Sequence, residues 1–124
     1  LDSKRDWGYA PEYVEGMWRM LQQKTPDDYV LATGKCYTVR QFVELSFKHV
    51  GISIDWQGKN EDEVGINPAT GDTVVAIDKR YYRPTEVDLL IGDPSKAKKN
   101  LNWEAKTDIY DLVKIMMKYD LDHV

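Results

Sequence analysis

The sequence has little cysteine and no long apolar run. Cys36 is its single cysteine in 124 residues, so an internal disulfide framework is excluded and a reducing compartment is favoured. No apolar stretch approaches the roughly 20 residues that a membrane-spanning helix needs, and the polar first residues do not resemble a signal peptide. We therefore expect a soluble, cytoplasmic protein with no membrane partner.

An excess of positive charge is also missing. The formal net charge is −4, and 31% of the residues are charged with both signs interspersed, which gives no electrostatic reason to expect a nucleic-acid partner. Cys36, His49 and His123 do not have the spacing of metal ligands, and we predict no metal site. The length fits one domain or part of one.

Apolar residues at helical spacing predict the main helices. The first helix begins near Pro11, and the clearest one begins at a Thr38-x-x-Gln41 capping box and ends at Gly51. Asp93 and Thr107 are predicted to cap two later helices. The stripe of the first helix, expected to be buried, comprises Val14, Met17, Trp18 and Leu21. That of the last helix comprises Ile109, Leu112, Val113, Met116 and Met117.

Strand patterns are few. Residues 29–33 (YVLAT) are almost wholly apolar, which is typical of a strand covered on both faces, whereas residues 52–56 and 73–78 alternate. Residues 58–72 are predicted to be a polar loop with a turn at Pro68 and Gly71, its acidic residues 61–63 solvated. Residues 87–91 are another extended candidate. These patterns predict a mixed α and β fold, part of which lies outside this chain.

Two segments carry a family resemblance. The first arginine segment, residues 4–10, reads KRDWGYA and leads into YVEGMW at 13–18. The second arginine segment, residues 81–88, reads YYRPTEVD and leads into GD at 92–93 and SKAK at 95–98. Together with PDDYV (26–30), KNEDEVG (59–65) and LNW (101–103), they resemble, in order and spacing, the carboxy-terminal region of GDP-mannose 4,6-dehydratases, members of the extended short-chain dehydrogenase/reductase family.

The resemblance implies an α/β fold of Rossmann type with a smaller carboxy-terminal substrate domain. Residues 1–33 would pack with the Rossmann domain, the 29–33 run returning to its sheet and the preceding helix covering it. Residues 34–124 would mostly build the substrate domain. The chain would therefore be the carboxy-terminal, substrate-binding part of a longer protein.

The resemblance also implies a function for that longer protein. It would be an NADP-dependent lyase that converts GDP-mannose to GDP-4-keto-6-deoxymannose, a step of GDP-fucose biosynthesis, by an internal hydride relay with loss of water. NADP would bind the amino-terminal domain, and the whole protein would be a homodimer or homotetramer. The chain by itself would be inactive.

Three residues are the implied substrate-binding set. The arginines of the two segments, Arg5 and Arg83, would grip the diphosphate of GDP-mannose, since a guanidinium offers a planar fork of donors to phosphate oxygens. Glu86 would lie near the ribose, and Asp6 would orient Arg5. The alternatives are that both arginines are solvated surface charges and that Glu86 makes a structural ion pair. The aromatics of the segments, such as Trp7, Tyr81 and Tyr82, are expected to serve packing.

No catalytic or cofactor-binding residue is predicted in this chain. A glycine-rich dinucleotide turn is absent from the sequence, and a single Tyr-x-x-x-Lys pattern, Tyr110 to Lys114, falls within the stripe of the last helix. We assign that pattern no catalytic role. The alternative function is a non-catalytic nucleotide-sugar-binding or interaction module derived from the same fold. Because the apolar faces of residues 14–33 would lack their natural cover, the isolated chain should self-associate.

Overall fold

Four helices and five short strands make up the part of the chain that the computed structural model describes, residues 1–84 and 90–124. The helices are α1 (Ala10–Leu21), α2 (Val39–His49), α3 (Ser95–Leu101) and α4 (Ile109–Asp122). The strands are β1 (Lys4–Arg5), β2 (Tyr37–Thr38), β3 (Asp55–Gln57), β4 (Val64–Ile66) and β5 (Thr73–Ala76). The predicted mixed α and β class is confirmed.

The predicted capping box of α2 is confirmed. The Thr38 hydroxyl accepts from the Gln41 amide at 3.1 Å, and the Gln41 side chain accepts from the Thr38 amide at 2.7 Å. Gly51 follows the helix with φ +80°, a conformation that favours glycine.

The caps of the two later helices each lie one residue beyond the predicted position. α4 is capped by Asp108, whose carboxylate accepts from the Asp111 amide at 2.8 Å. α3 is preceded by Pro94, while the Asp93 carboxylate turns back to accept from the Ser95 amide at 3.0 Å. The Thr107 prediction was therefore wrong by one residue, because the neighbouring polar residues Thr107 and Asp108 compete for the same cap. Asp93 lies one residue before the cap position, but its carboxylate still accepts from a first-turn amide, whereas Pro94 makes no side-chain cap bond.

The strands form two small antiparallel sheets. β1 pairs with β2, and β3, β4 and β5 lie in that order. β4 falls inside the stretch predicted as a polar loop, so that prediction was wrong there, although the turn after it is confirmed by the Gly71 amide donating to the Asn67 carbonyl at 2.8 Å. The triplet Val64–Ile66 was too short to stand out. Its Gly65 is buried, and a Cβ there would lie only 2.8 Å from the Ile54 side chain.

The 29–33 run is not a strand in this structure, and its predicted pairing with the Rossmann sheet, which would lie outside this chain, stays a prediction. Among residues 1–84 and 90–124 no strand pairs with it, and only Ala32 is buried while Val30 is 51% exposed. A strand needs a neighbour for its backbone groups, and the described residues do not supply one here. Most of the extended candidate at 87–91 lies outside the described residues.

The core is centred on Trp103, which is 2% exposed. Its indole N–H donates to the Glu12 carbonyl at 2.7 Å, and its ring meets Tyr13 edge-on at 5.4 Å. Gly16 lets α1 come this close, because a Cβ there would lie 3.0 Å from the indole nitrogen. The other members of this core are Ala97, Leu101, Met20, Tyr29, Leu31 and Ala105.

The amino-terminal half of α4 packs against α2. Ile109, Leu112 and Val113 are each at most 5% exposed, which confirms the first part of the predicted stripe, whereas Met116 is 45% exposed. Aliphatic burial of this kind contributes about 1.5–3 kcal/mol for each large side chain.

The predicted stripe of α1 faces solvent instead of the core. Val14, Met17, Trp18 and Leu21 are 62%, 55%, 60% and 82% exposed, so their predicted burial is wrong within this chain. The face of α1 that packs inward carries Tyr13, Gly16 and Met20. The expectation that the stripe lacks a cover in this chain is confirmed.

Arg40 ties α2 to the three-stranded sheet. Its guanidinium makes two 2.7 Å bonds to the two oxygens of Glu63 and lies 4.6 Å above the Trp56 ring. Asp2 adds a third carboxylate contact at 3.0 Å. Because Glu63 is held in this way and its side chain is only 14% exposed, its assignment to a solvated acidic loop was wrong.

Glu12 joins α1 to the chain before α4. Its carboxylate accepts from the Lys106 amide at 2.6 Å and the Thr107 amide at 3.0 Å. Burial raises the pKa of this carboxyl, but the hydrogen bonds from Thr107 and Lys106 together lower the pKa by more, so the net pKa lies below the ordinary value of 4.5.

The exposed stripe predicts self-association of the isolated chain. Charging it with Val14→Glu and Trp18→Lys, an order of charges that suits i,i+4 positions on a helix, should convert the chain to a monomer by sedimentation velocity. The matched control, Ile115→Glu with Tyr119→Lys on α4, should leave association unchanged. A monomeric unmodified chain, or a control that also dissociates, would contradict the prediction.

The Glu12 contacts predict a pH-dependent loss of stability, measurable in that monomeric background. Glu12→Gln should lower the free energy of unfolding in urea by about 1–2 kcal/mol at pH 7, since an amide cannot accept both N–H groups. With a depressed folded-state pKa, the carboxylate's contribution is complete above 4.5 and is lost as the pH falls through the folded-state pKa. The difference in free energy of unfolding between Glu12→Gln and the unmodified protein should therefore shrink in acid. The control Glu104→Gln, at an exposed position, should show no such difference at pH 7. A difference for Glu12→Gln that persists unchanged in acid would refute the assignment.

Candidate functional site

Arg5 ends the short strand β1 and is exposed. Arg5 stands opposite Tyr37 in the antiparallel ladder with β2, and its guanidinium donates to the Lys4 carbonyl at 2.9 Å. A two-residue ladder holds a strand weakly, so the position of Arg5 depends on what anchors the residues that follow it.

Trp7 is the first of these anchors. Its ring stacks on Phe42 of α2 with centroids 4.3 Å apart and planes 16° from parallel, and its indole N–H donates to the Tyr37 carbonyl at 3.0 Å. The packing role expected for Trp7 is confirmed. The chain leaving β1 is thereby fixed against both α2 and β2.

Asp6 is the second anchor, and its partners are not the one we expected. Its carboxylate accepts from the Thr33 amide at 3.0 Å, the Thr33 hydroxyl at 2.6 Å and the Gly34 amide at 3.0 Å. We expected this carboxylate to orient the neighbouring Arg5, whereas the contacts seen tie it to a turn 27 residues away. The sequence held no local signal for that partner.

Arg83 lies in the second arginine segment, just after a turn that begins at Asp78. In that turn the Arg80 guanidinium pairs with Asp78 at 2.7 Å and lies 5.4 Å from the Tyr81 ring centroid. Tyr81 is 75% exposed, so its predicted packing role is wrong, while Tyr82 is half-buried and Arg83 is exposed. Glu86, the third predicted substrate-binding residue, lies outside the described residues.

The chain that leaves the second arginine segment returns to the neighbourhood of β2. The Cys36 thiol donates to the Leu90 carbonyl at 3.4 Å, and Cys36 directly precedes Tyr37, the ladder partner of Arg5. Further along, a Cβ on Gly92 would lie 2.6 Å from the Ala32 Cβ. The residues just beyond the second segment therefore contact the residues beside the first.

Neither arginine lines the four clefts described next. The largest has about 550 Å³ and an apolar lining from α1 and residues 30–32, with Asp6 and Gly92 at its edge. A second, of about 490 Å³, is lined by charged residues of α1 and of the chain from 98 to 107. Smaller clefts of about 290 and 170 Å³ lie at Tyr110 and at Pro94. Both arginines are exposed.

The remaining polar candidates are engaged in structural contacts or exposed. The Tyr110 ring meets Tyr37 edge-on at 6.5 Å, and both Tyr110 and Lys114 are exposed. His123 stacks on Tyr119 at 4.1 Å. Over the described part of the chain, no cluster of three His, Cys, Asp or Glu side chains is arranged to hold a metal, and no helix there is long and apolar enough to span a bilayer.

Comparison with known proteins gives the same family for the whole chain. A family model described as GDP-mannose 4,6 dehydratase matches residues 1–116. A GDP-mannose 4,6 dehydratase of Drosophila melanogaster is 56% identical over 122 residues, 98% of this chain and 31% of the relative. Its counterparts in Dictyostelium discoideum and Homo sapiens are each 53% identical, covering 100% and 98% of this chain and 35% and 33% of their own lengths. The chain thus spans about a third of these relatives.

Proposed function

The chain belongs to the GDP-mannose 4,6 dehydratase family, and from this we propose that it is the carboxy-terminal, GDP-binding part of an enzyme that converts GDP-mannose to GDP-4-keto-6-deoxymannose. The observation that carries the proposal is the likeness to GDP-mannose 4,6 dehydratases over essentially all 124 residues. In this proposal Arg5 and Arg83 bind the diphosphate, and Glu86 binds the ribose.

The geometry around the two arginines supports this assignment. Arg5 is exposed at the end of β1, and the two residues that follow it, Asp6 and Trp7, anchor the chain there. Seven residues after Arg83, Leu90 contacts the residue next to the ladder partner of Arg5. A fork of N–H donors at each of two such points matches two adjacent phosphates, and a fixed strand keeps the entropy cost of binding low.

The family relation implies NADP, and the described residues do not fit it. A dinucleotide pyrophosphate needs a glycine turn opening directly into a helix N-terminus. Here α1 opens with Ala10 and Pro11, and side chains of Thr38 and Asp108 already occupy the N-termini of α2 and α4. We therefore assign NADP, with the acid and base groups, to the remaining two-thirds of the proposed cytoplasmic enzyme, which is expected to be a homo-oligomer.

The exposed stripe of α1 favours this reading over an independent binding module. A self-sufficient domain rarely leaves four large apolar side chains of one helix more than half exposed, as α1 does. A longer polypeptide that covers this face accounts for the stripe.

The diphosphate assignment predicts weaker binding when either fork is removed. In the whole protein, Arg5→Ala and Arg83→Ala should each weaken the binding of both GDP and GDP-mannose about ten- to a hundredfold, because a hydrogen bond to a charged group contributes about 1.5–3 kcal/mol. Calorimetric titration measures both affinities. Arg5→Lys should recover only part of the loss, because an ammonium keeps the charge but not the fork. Arg80→Ala, directly before the second arginine segment and paired with Asp78, is the matched control. Unchanged affinity in both alanine variants would remove the site and leave family membership standing.

The absence of a catalytic role for the Tyr-x-x-x-Lys pattern at Tyr110 is separately testable. Tyr110→Phe and Lys114→Met should leave kcat for GDP-mannose in the whole protein within about twofold, because both groups are exposed on α4 and Tyr110→Phe retains the ring that meets Tyr37. A fall of a hundredfold or more in either variant would place acid–base chemistry on α4.

A further inference from the structure

The Asp6 carboxylate joins the first arginine segment to the turn at residues 33–34. It follows Arg5 directly in the chain and binds both the amide and the hydroxyl of Thr33 and the amide of Gly34. Ala32 and Gly34, on either side of Thr33, each have a neighbour among the residues that follow the second segment.

The turn that Asp6 holds packs on residues 92–94. Gly34 has φ +79°, and a Cβ on it would lie 3.9 Å from the Pro94 side chain and 4.0 Å from the Gly92 carbonyl. Ala32 also lies close to Gly92, because a Cβ added to Gly92 would clash with the Ala32 Cβ at 2.6 Å. A path of direct contacts therefore runs from Asp6 through the 32–34 turn to the chain leaving the second arginine segment.

We propose that Asp6 is a positioning residue of the nucleotide site, which holds Arg5 in place by clamping the turn at residues 33–34. The inference rests on the proposed function, because it needs Arg5 to bind the diphosphate. A guanidinium that binds a phosphate must keep a fixed position, and supports of this kind alter affinity without touching the ligand.

The chemistry of the clamp requires a carboxylate. Three donors point at Asp6, and a carboxylate offers acceptor sites on both oxygens. In Asp6→Asn one oxygen becomes an NH₂ group that cannot accept, so the three donors are left with a single acceptor oxygen. Thr33→Val removes the hydroxyl, which donates to Asp6 at 2.6 Å and accepts from the Lys35 amide at 3.1 Å, and Thr33→Ser keeps both bonds.

The test compares GDP affinity in the whole protein. By analogy with supporting groups at other binding sites, Asp6→Asn should lower the affinity for GDP about tenfold and Thr33→Val about threefold. Thr33→Ser should bind GDP like the unmodified protein. Glu12→Gln is the matched control, because Glu12 also clamps two backbone amides, at residues 106 and 107, away from both arginine segments. It should lower thermal stability to a similar degree and leave GDP affinity unchanged.

A double-variant cycle separates positioning from general destabilisation. If Asp6 acts through the position of Arg5, Asp6→Asn should cost less affinity in an Arg5→Ala background than in the unmodified protein. Additive losses, an unchanged affinity in Asp6→Asn, or equal losses in Asp6→Asn and Glu12→Gln would each overturn the inference. Failure of the proposed site itself gives a different result, because the arginine variants would then bind GDP like the unmodified protein.

Discussion

The hydrogen bond from the Trp103 indole to the Glu12 carbonyl sets the arrangement of the main core. It fixes α1 against the chain between α3 and α4, at a contact that Gly16 makes close enough. Because the inward face of α1 is thereby given to Trp103, the stripe of Val14, Met17, Trp18 and Leu21 must point outward. One buried ring thus decides both which face of the helix is satisfied within this chain and which is left for another surface.

The arginine site depends on a different set of contacts, since its own secondary structure is slight. A ladder of two residue pairs cannot hold a strand in place, so the burden falls on side chains beside Arg5. Trp7 stacks on α2, and Asp6 clamps the turn at 33–34. The surface that we propose for GDP is consequently rigid where side chains bind backbone, although little regular structure surrounds it.

Local signals predicted the helices well, because caps and periodicity are written within a few residues. Thr38 and Gln41 were found from a four-residue pattern, whereas the neighbours Thr107 and Asp108 could not be ranked as caps without the structure. Burial was harder. The α1 stripe looked like a core face since periodicity shows that a face is apolar but not what covers it.

Long-range polar contacts were beyond the sequence for a related reason. The Thr33 partner of Asp6 and the Glu63 partner of Arg40 lie 27 and 23 residues away, at separations that no spacing rule relates. The arginine pair itself came from resemblance, not from periodicity. Its binding role, like that of Glu86, stays a prediction.

Many of the long-range bonds described above run from a side chain to a backbone group, as with Trp7 to the carbonyl of residue 37 and Trp103 to that of residue 12. Such a bond constrains the two positions unequally. The donor's identity is essential, while the receiving position needs only its conformation, because every residue carries the same carbonyl. Drift in sequence should therefore be tolerated at positions such as Lys106, whose amide is bound by Glu12, and resisted at the side chains that reach across the fold.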